Sequence, residues 1–564
     1  MAFPAKAASS AMAQDITGDW QGTLKVGTIE LRLVMQLVMN SKGGVQGAIE
    51  SIDQPGGTGM AITAASFDNS ELRLSLKEIG ATYEGKLSPA GTIEGSWTQA
   101  VKIPLFWERK AAETSEPADY SQYVGAWHGD LNLGLMALYL VIHIGYDAGG
   151  KPAAALDSPD QGGPMVPATG ARIEKGYLTV EWKSIGAVFR VRTGGDPDVL
   201  DGSFTQHGRP GALKLKRVHN SAELQRRRPQ MPVNPYPYRE EEVKYQNPNA
   251  EGSVTLAGTL TVPQGHGPFP AAILIAGSGD LDRDESIGGH KPFLVIADFL
   301  TRKGIAVLRV DKRGVGGSGG DSFRALTTDY ASDVQAGVAF LRKRPEVDGR
   351  KIGLVGHSEG GVIAPMVAIR DRGIAFLVLM AGTGVPGAEF AGEQAQSGVE
   401  LAGGDPGMAA TAGKITSEVA SALIHASSAA AAKKKLMAKA DAIPEAMLDT
   451  MIERLDSPWL RAFVAIDPRV ALRSVACPVL AINGANDKQV SAGPNLAGIR
   501  QALLDGGNPH FEVEELAGLN HLFQAAETGA PLEYGHIEET ISPLVLDRMA
   551  TFIRSSVQWE VRYS

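Results

Sequence analysis

Seven short apolar runs, at 254–262, 271–276, 305–310, 351–355, 374–380, 478–483 and 511–516, recur between segments of helical pattern from about residue 239 onward. A strand that returns to its sheet through a crossover helix returns in parallel. This rhythm therefore predicts an α/β fold over 239–564, a mostly parallel sheet with helices on both faces. One interval is too long for a simple crossover. Between about 386 and 470 the Ala-, Lys- and Glu-rich runs from Ser427 to Asp441 and from Pro444 to Leu455 predict helices, which makes this stretch a helical cap inserted into the sheet domain.

The first part of the chain follows a different period. Gly18-Asp19-Trp20-Gln21-Gly22 recurs as Gly125-Ala126-Trp127-His128-Gly129, Ser51-Ile52-Asp53-Gln54 as Ser158-Pro159-Asp160-Gln161, and Gly95-Ser96-Trp97-Thr98-Gln99 as Gly202-Ser203-Phe204-Thr205-Gln206. Order and spacing are kept, so residues 15–112 and 120–218 read as two copies of one unit. Alternating segments such as Leu31 to Leu37 and Tyr177 to Trp182, punctuated by Gly, Asp and Asn, make each copy all-β. Gly-x-Trp at a strand opening also resembles the start of lipocalin-like barrels, although Trp20 and Trp127 read more simply as core plugs. Residues 219–238, with Arg226-Arg227-Arg228-Pro229 and Pro232, Pro235 and Pro237, read as a semi-stiff linker. Residues 1–14 contain Ala11-Met12-Ala13 and read as the end of an export signal or as a flexible terminus. The first reading places the protein in the periplasm or outside the cell, the second in the cytoplasm.

A length of 564 residues supports roughly three to five domains. The formal net charge is -9, from 54 Lys+Arg against 63 Asp+Glu, the opposite of what a phosphate-backbone binder carries. Nucleic acid is set aside on that ground. A single cysteine, Cys477, permits no intrachain disulfide and no cysteine-based metal site. The apolar stretches are strand-length and fall short of the ~18 residues a membrane helix requires.

The chemistry rests on Gly356-His357-Ser358-Glu359-Gly360. With 67 glycines in the chain, about half a Gly-x-Ser-x-Gly is expected by accident, and Gly316-Gly317-Ser318-Gly319-Gly320 also fits. Context separates them. Ser358 stands between the apolar strand Ile352 to Val355 and a helical run from Gly361, the setting of a nucleophile elbow, whereas Ser318 follows a loop. A serine needs a histidine to take its proton, and that histidine needs an acid to fix its tautomer. In this fold the order is Ser, acid, His, each after a strand. Asp487 follows the strand at 478–483 and His521 follows the strand at 511–516, so the triad reads Ser358, Asp487, His521. A tetrahedral oxyanion also needs preorganised N–H donors. The backbone amide of Glu359 is one by position, and that of Ser278, in Gly277-Ser278-Gly279 after the strand at 271–276, is the other.

Several spaced segments together resemble a known family. They are Ala276-Gly277-Ser278-Gly279-Asp280-Leu281-Asp282-Arg283-Asp284, Lys291-Pro292-Phe293, Val310-Asp311-Lys312-Arg313-Gly314, Gly356-His357-Ser358-Glu359-Gly360-Gly361, Ser457-Pro458-Trp459-Leu460-Arg461, Asp467-Pro468-Arg469, Cys477-Pro478-Val479-Leu480 and Asn520-His521. Over roughly 240–555 the chain resembles an α/β-hydrolase, and more narrowly the bacterial short-chain acyl esterases of the EstD-like group. The resemblance implies hydrolysis of small-molecule carboxylic esters through an acyl-enzyme, with neither metal nor cofactor. It says less about the β repeats.

Two other functions stay open: an acyl-CoA thioesterase or acyltransferase on the same triad, and an envelope enzyme whose β region binds glycan or lipid. Trp459 and Phe463, four apart on one helical face, read either as the wall of an acyl pocket or as core. The cluster Asp282 to Glu285 reads as a salt-linked rim, Asp311 to Arg313 as loop bracing and His357 as packing. Lys433 to Lys435 read as a solvated helix face.

Overall fold

The computed structural model describes residues 16–558 apart from 27–28, 40–44, 52–59, 78–79, 100, 110–118, 133–136, 160–164, 175, 208, 221–223, 225, 251 and 439–444. The signal-like residues 1–14 therefore lie outside the described residues, as do Ile52, Asp53 and Gln54 and their counterparts Asp160 and Gln161. Among the described residues no helix is long and apolar enough to cross a membrane. The chain divides into two compact units with a boundary between Leu224 and Gln225.

The N-terminal unit holds two nine-stranded antiparallel meanders. One runs from Gly18–Val26 to Val101–Arg109 and the other from Gly125–Asn132 to Arg209–Arg217, and their strand orders are the same. In each, the first strand pairs with both the second and the ninth, so the meander returns on itself. The period-two pattern explains the core. Along Tyr177–Trp182, for example, Leu178, Val180 and Trp182 turn inward while their neighbours stay half-exposed. Trp20 and Trp127 are both fully buried, and their indole N–H groups donate to the carbonyls of Ile16 at 3.0 Å and Tyr123 at 2.7 Å. A guanidinium from the last strand lies over each ring, Arg109 at 4.6 Å and Arg217 at 4.0 Å. The same arginines donate to the carbonyls of Thr17 and Val124. Each meander is thus fastened near its first and last strands by the same pair of side chains, a tryptophan and an arginine.

The C-terminal unit is built on one eight-stranded sheet. Its strands are β1 (Arg239–Asn247), β2 (Val254–Val262), β3 (Phe269–Ile275), β4 (Ala306–Val310), β5 (Val347–His357), β6 (Leu377–Met380), β7 (Val479–Gly484) and β8 (Phe511–Leu516). The spatial order is β1-β2-β4-β3-β5-β6-β7-β8; β3 to β8 are parallel, and β2 runs antiparallel to both of its neighbours, β1 and β4. β1 has no counterpart among the seven runs read from the sequence. It is an edge strand opening on Arg239 and three glutamates, and only Val243, Tyr245 and Asn247 are buried.

Strand residues alternate between two cores. Ala271, Ile273 and Ile275 pack with α2 (Thr327–Leu341), α3 (Glu359–Ala368) and α10 (Ala492–Asp505). Ala272, Leu274 and Ala276 pack with α1 (Pro292–Arg302) and α11 (Pro543–Gln558) on the other face. Between β6 and β7 stand α4 (Gly387–Leu401), α5 (Pro406–His425), α6 (Ala429–Met437), α7 (Glu445–Leu455), α8 (Pro458–Val464) and α9 (Pro468–Leu472). Residues from α4 to α8, among them Val419, Leu423, Leu436, Leu448 and Ile452, form a separate small core. Lys433 joins α6 to α7 through Glu445 at 2.9 Å and Asp449 at 2.6 Å. α6 and α7 lie within the two runs read as helical, while the longer α5 was not legible there.

Arg228, in the proline-rich segment, donates to the carbonyls of Gly288, Gly289, Gly535 and Ile537, so this part of 219–238 is tied to the loops of the eight-stranded sheet. Beside it His290 is fully buried, its Nε2 meeting the Tyr534 carbonyl at 2.8 Å and its Nδ1 the Thr540 hydroxyl at 3.0 Å. Burial, with the Arg228 charge, pushes its pKa down to about 4. Unfolded, it titrates near the ordinary ~6.5. The unfolded chain takes up this proton first, so the contribution is intact above about pH 6.5 and is lost as pH falls toward 4. Urea denaturation between pH 7 and 4 should show a declining midpoint, and His290→Gln should flatten that decline.

Candidate active site

Ser358 sits where β5 ends and α3 begins, with φ 54° and ψ -115°. A non-glycine residue pays strain for a positive φ, and such strain persists only where its surroundings enforce it. Two glycines enforce it here. A Cβ on Gly360 would lie 2.1 Å from the Ile275 carbonyl oxygen, and one on Gly356 would lie 2.1 Å from that of Gly360. β5, the turn and α3 are thereby packed backbone to backbone against the end of β3. The Ser358 amide donates to the Met380 carbonyl at 2.8 Å, fixing the turn to β6 as well. Ser318, in the other Gly-x-Ser-x-Gly, instead donates to the Asp311 carbonyl at 2.7 Å and accepts from the Ala257 amide at 2.9 Å, a loop-bracing role.

Asp487 follows β7 and His521 follows β8, and the parallel sheet brings them together. His521 Nδ1 lies 2.7 Å from Asp487 Oδ2, with both residues buried. Asp487 Oδ1 accepts from the amides of Gln489 and Val490, each at 2.8 Å, so the carboxylate is held from both oxygens. With Nδ1–H turned to the acid, the free lone pair of the ring is on Nε2.

His357 does more than pack. Its Nε2 donates to the His521 carbonyl at 2.9 Å, and its Nδ1 meets Glu285 Oε1 at 3.0 Å. Burial works against a charge here, yet the Glu285 carboxylate and the His521 carbonyl outweigh it and hold the His357 imidazole above its usual range. Glu285 Oε1 also accepts from the Gly277 amide at 2.8 Å. Gly277 in turn lies against the serine: a Cβ there would be 3.1 Å from Ser358 Cβ. Elsewhere in the rim cluster, Arg283 is ion-paired with Asp311 and Asp284 with Lys291 and Arg309, while Asp282 accepts from the amides of Asp284 and Ser286 and from the Ser286 hydroxyl.

The Glu359 side chain points into the protein, where Oε1 accepts from Thr327 Oγ1 at 2.7 Å and Trp459 Nε1 at 2.9 Å, and Oε2 lies 3.4 Å from Lys312 Nζ. Ser278 is exposed at the tip of the loop after β3. Trp459 stacks on Phe463 at 5.4 Å, and Phe463 is buried with Val362 of α3, Val385, Phe390 and Val490. These two aromatics therefore lie beside the serine's helix and the acid's loop. Glu285, Lys312 and Thr327 are the neighbours that sequence reasoning did not assign to the site. Their signal was present only as charge and hydroxyl in loops.

A doubly wound sheet that presents a strained serine after one central strand, and an acid and histidine after its last two, has the arrangement of an α/β-hydrolase. Within that class, the family described as X-Pro dipeptidyl-peptidase (S15 family) matches residues 233–497. Esterase EstD of Thermotoga maritima is 38% identical over 117 residues, 21% of this chain and 28% of that protein. The mitochondrial acyl-coenzyme A thioesterase 2 of Mus musculus is 32% identical over 136 residues, 24% of this chain and 26% of that one. The chain thus spans about a quarter of the length of these curated relatives. Among solved structures, an esterase of Pyrococcus furiosus aligns at 16% identity and a TM-score of 0.36, covering 59% of this chain and 97% of its own. The α/β hydrolase GrgF of Penicillium aligns at 17% identity and 0.36, covering 57% and 100%. The C-terminal unit is similar to α/β-hydrolase serine esterases, and an all-β region precedes it.

Because the Ile275 carbonyl leaves no room for a methyl group at position 360, Gly360→Ala should cost about 1–3 kcal/mol of stability or more. Thermal denaturation of the variant beside the wild type measures it.

Proposed function

We propose that the chain is a serine carboxylesterase that hydrolyses short- to medium-chain carboxylic esters through an acyl-enzyme. The observation that carries this reading is the buried His521–Asp487 pair at 2.7 Å in the same sheet end as the strained Ser358. Ser358 Oγ attacks the ester carbonyl carbon while its proton passes to His521 Nε2, and Asp487 stabilises the imidazolium that forms. The carbonyl oxygen, now negative, is received by the backbone N–H groups of Ser278 and Glu359. Collapse expels the alcohol, which takes the proton from His521. Water then gives a proton to His521 and attacks the acyl carbon, and Ser358 recovers the proton as the acid leaves.

The helices α4 to α8 act in this reading as a cap, through which Trp459 and Phe463 reach the serine's side of the sheet. The aromatic cluster with Phe390 forms the acyl wall, and its bulk favours shorter chains. The two meanders, with the same strand order and the same Trp–Arg fastening, are copies of one unit and serve as an accessory region. Similarity to a thioesterase and to the S15 family favours two second readings, action on acyl-CoA or on X-Pro peptides.

One set of assays separates them: nitrophenyl esters of increasing acyl length, acyl-CoA and an X-Pro nitroanilide, each with the wild type and Ser358→Ala. Ester turnover should dominate and should fall by at least about 10³-fold in Ser358→Ala. A dominant thioester or peptide rate would replace the esterase reading, and full activity of Ser358→Ala would remove the triad.

A further inference from the structure

We propose that Lys312 is the positioning residue of the oxyanion site, holding the Gly277–Ser278 peptide so that the Ser278 N–H faces the developing charge. This rests on the esterase reading above and names a component of the same site. The Gly277 carbonyl and the Ser278 N–H are opposite ends of one planar trans peptide, so fixing one end sets the direction of the other. Lys312 Nζ donates to that carbonyl at 2.8 Å. On the preceding peptide, the Gly277 N–H is held by Glu285 at 2.8 Å. Such a double hold has a purpose at this position. A Cβ on Gly277 would crowd Ser358 at 3.1 Å, and Gly279 turns at φ 99°, so two glycines flank the Ser278 peptide and the loop's own sterics leave it free to rotate. Two charged side chains supply what the glycines cannot.

Lys312 is itself fixed. It is 9% exposed, with its ammonium 4.0 Å above the Tyr330 ring and 3.4 Å from Glu359 Oε2. Glu359 carries the second proposed oxyanion donor, so a single ammonium connects the Gly277–Ser278 peptide, which bears one donor, with the residue that bears the other. The cation acts in a second way, since a charge-assisted bond to a carbonyl polarises the peptide and strengthens the N–H at its other end. Lys312 touches neither substrate nor serine. Its effect should appear where the oxyanion exists and not where the intact ester is bound.

The test uses the full chain with Lys312→Met and with the double variant Lys312→Met/Glu359→Gln, which leaves no buried carboxylate without its cation. For both, kcat on a nitrophenyl ester should fall about tenfold or more, short of the roughly 10²–10³-fold cost of deleting a donor outright, with KM within about twofold. The inhibition constant of a trifluoromethyl ketone, whose serine adduct carries the oxyanion, should rise by the same factor as kcat/KM falls. Unchanged kcat/KM, or a loss of rate with the ketone bound as tightly as before, overturns the proposal. Selective ¹⁵N-serine labelling gives a readout independent of turnover. The Ser278 amide resonance should shift in Lys312→Met, and an unmoved resonance overturns the positioning role even if the chain proves not to be an esterase. Full ester turnover by Ser358→Ala, by contrast, would overturn the Ser358 acyl-enzyme mechanism and not the Lys312 contact.

Discussion

The backbone contact between Gly360 and the Ile275 carbonyl is the constraint on which the site depends. It brings the start of α3 against the end of β3, and only a residue without a Cβ permits that approach. The strain of Ser358 follows, because a chain leaving β5 and turning at once into a helix pressed on the next strand has no relaxed path. The same approach sets Gly277 beside Ser358, so Ser358 and the loop that faces it are positioned by one packing event.

Around this contact the fold buries several charged pairs. Lys312 with Glu359, Arg313 with Asp333 and Glu285 with His357 all lie near the ends of β3, β4 and β5. A buried pair is expensive to desolvate and adds little stability relative to apolar residues of the same size. What it offers is direction. Arg313 grips Asp333 through two nitrogens, at 2.7 and 2.8 Å, and Asn247 of β1 donates to the same carboxylate at 2.8 Å. Each group is thereby held to one geometry, and the loops that surround Ser358 inherit it.

The N-terminal unit is held by other means. Each of its meanders relies on aromatic volume, with Trp20 or Trp127 filling the centre and an arginine from the ninth strand closing over the ring. The pattern was legible at Trp20 and Trp127 because Gly-x-Trp recurs with the strand alternation around it. The arginines were not legible, since Arg109 and Arg217 differ in no local way from other strand-end cations.

The sequence by itself determined the order of most elements, the sheet type and the spacing that puts Ser358, Asp487 and His521 each just after a parallel strand of one sheet. Those properties follow from local periodicity and from small residues at turns, which are written along the chain. It missed β1, whose charged opening hides an edge strand, and it left α5 unread. Only the tertiary structure decided what the loop charges do. Glu285 and His357 stand 72 positions apart, and Lys312 and Gly277 stand 35 apart. A charge in a loop reads equally well as a solvated rim, and nothing local separates the two outcomes. Burial and a partner brought in from a distant strand end make the difference, because desolvation forces each charge to find the one group that satisfies it.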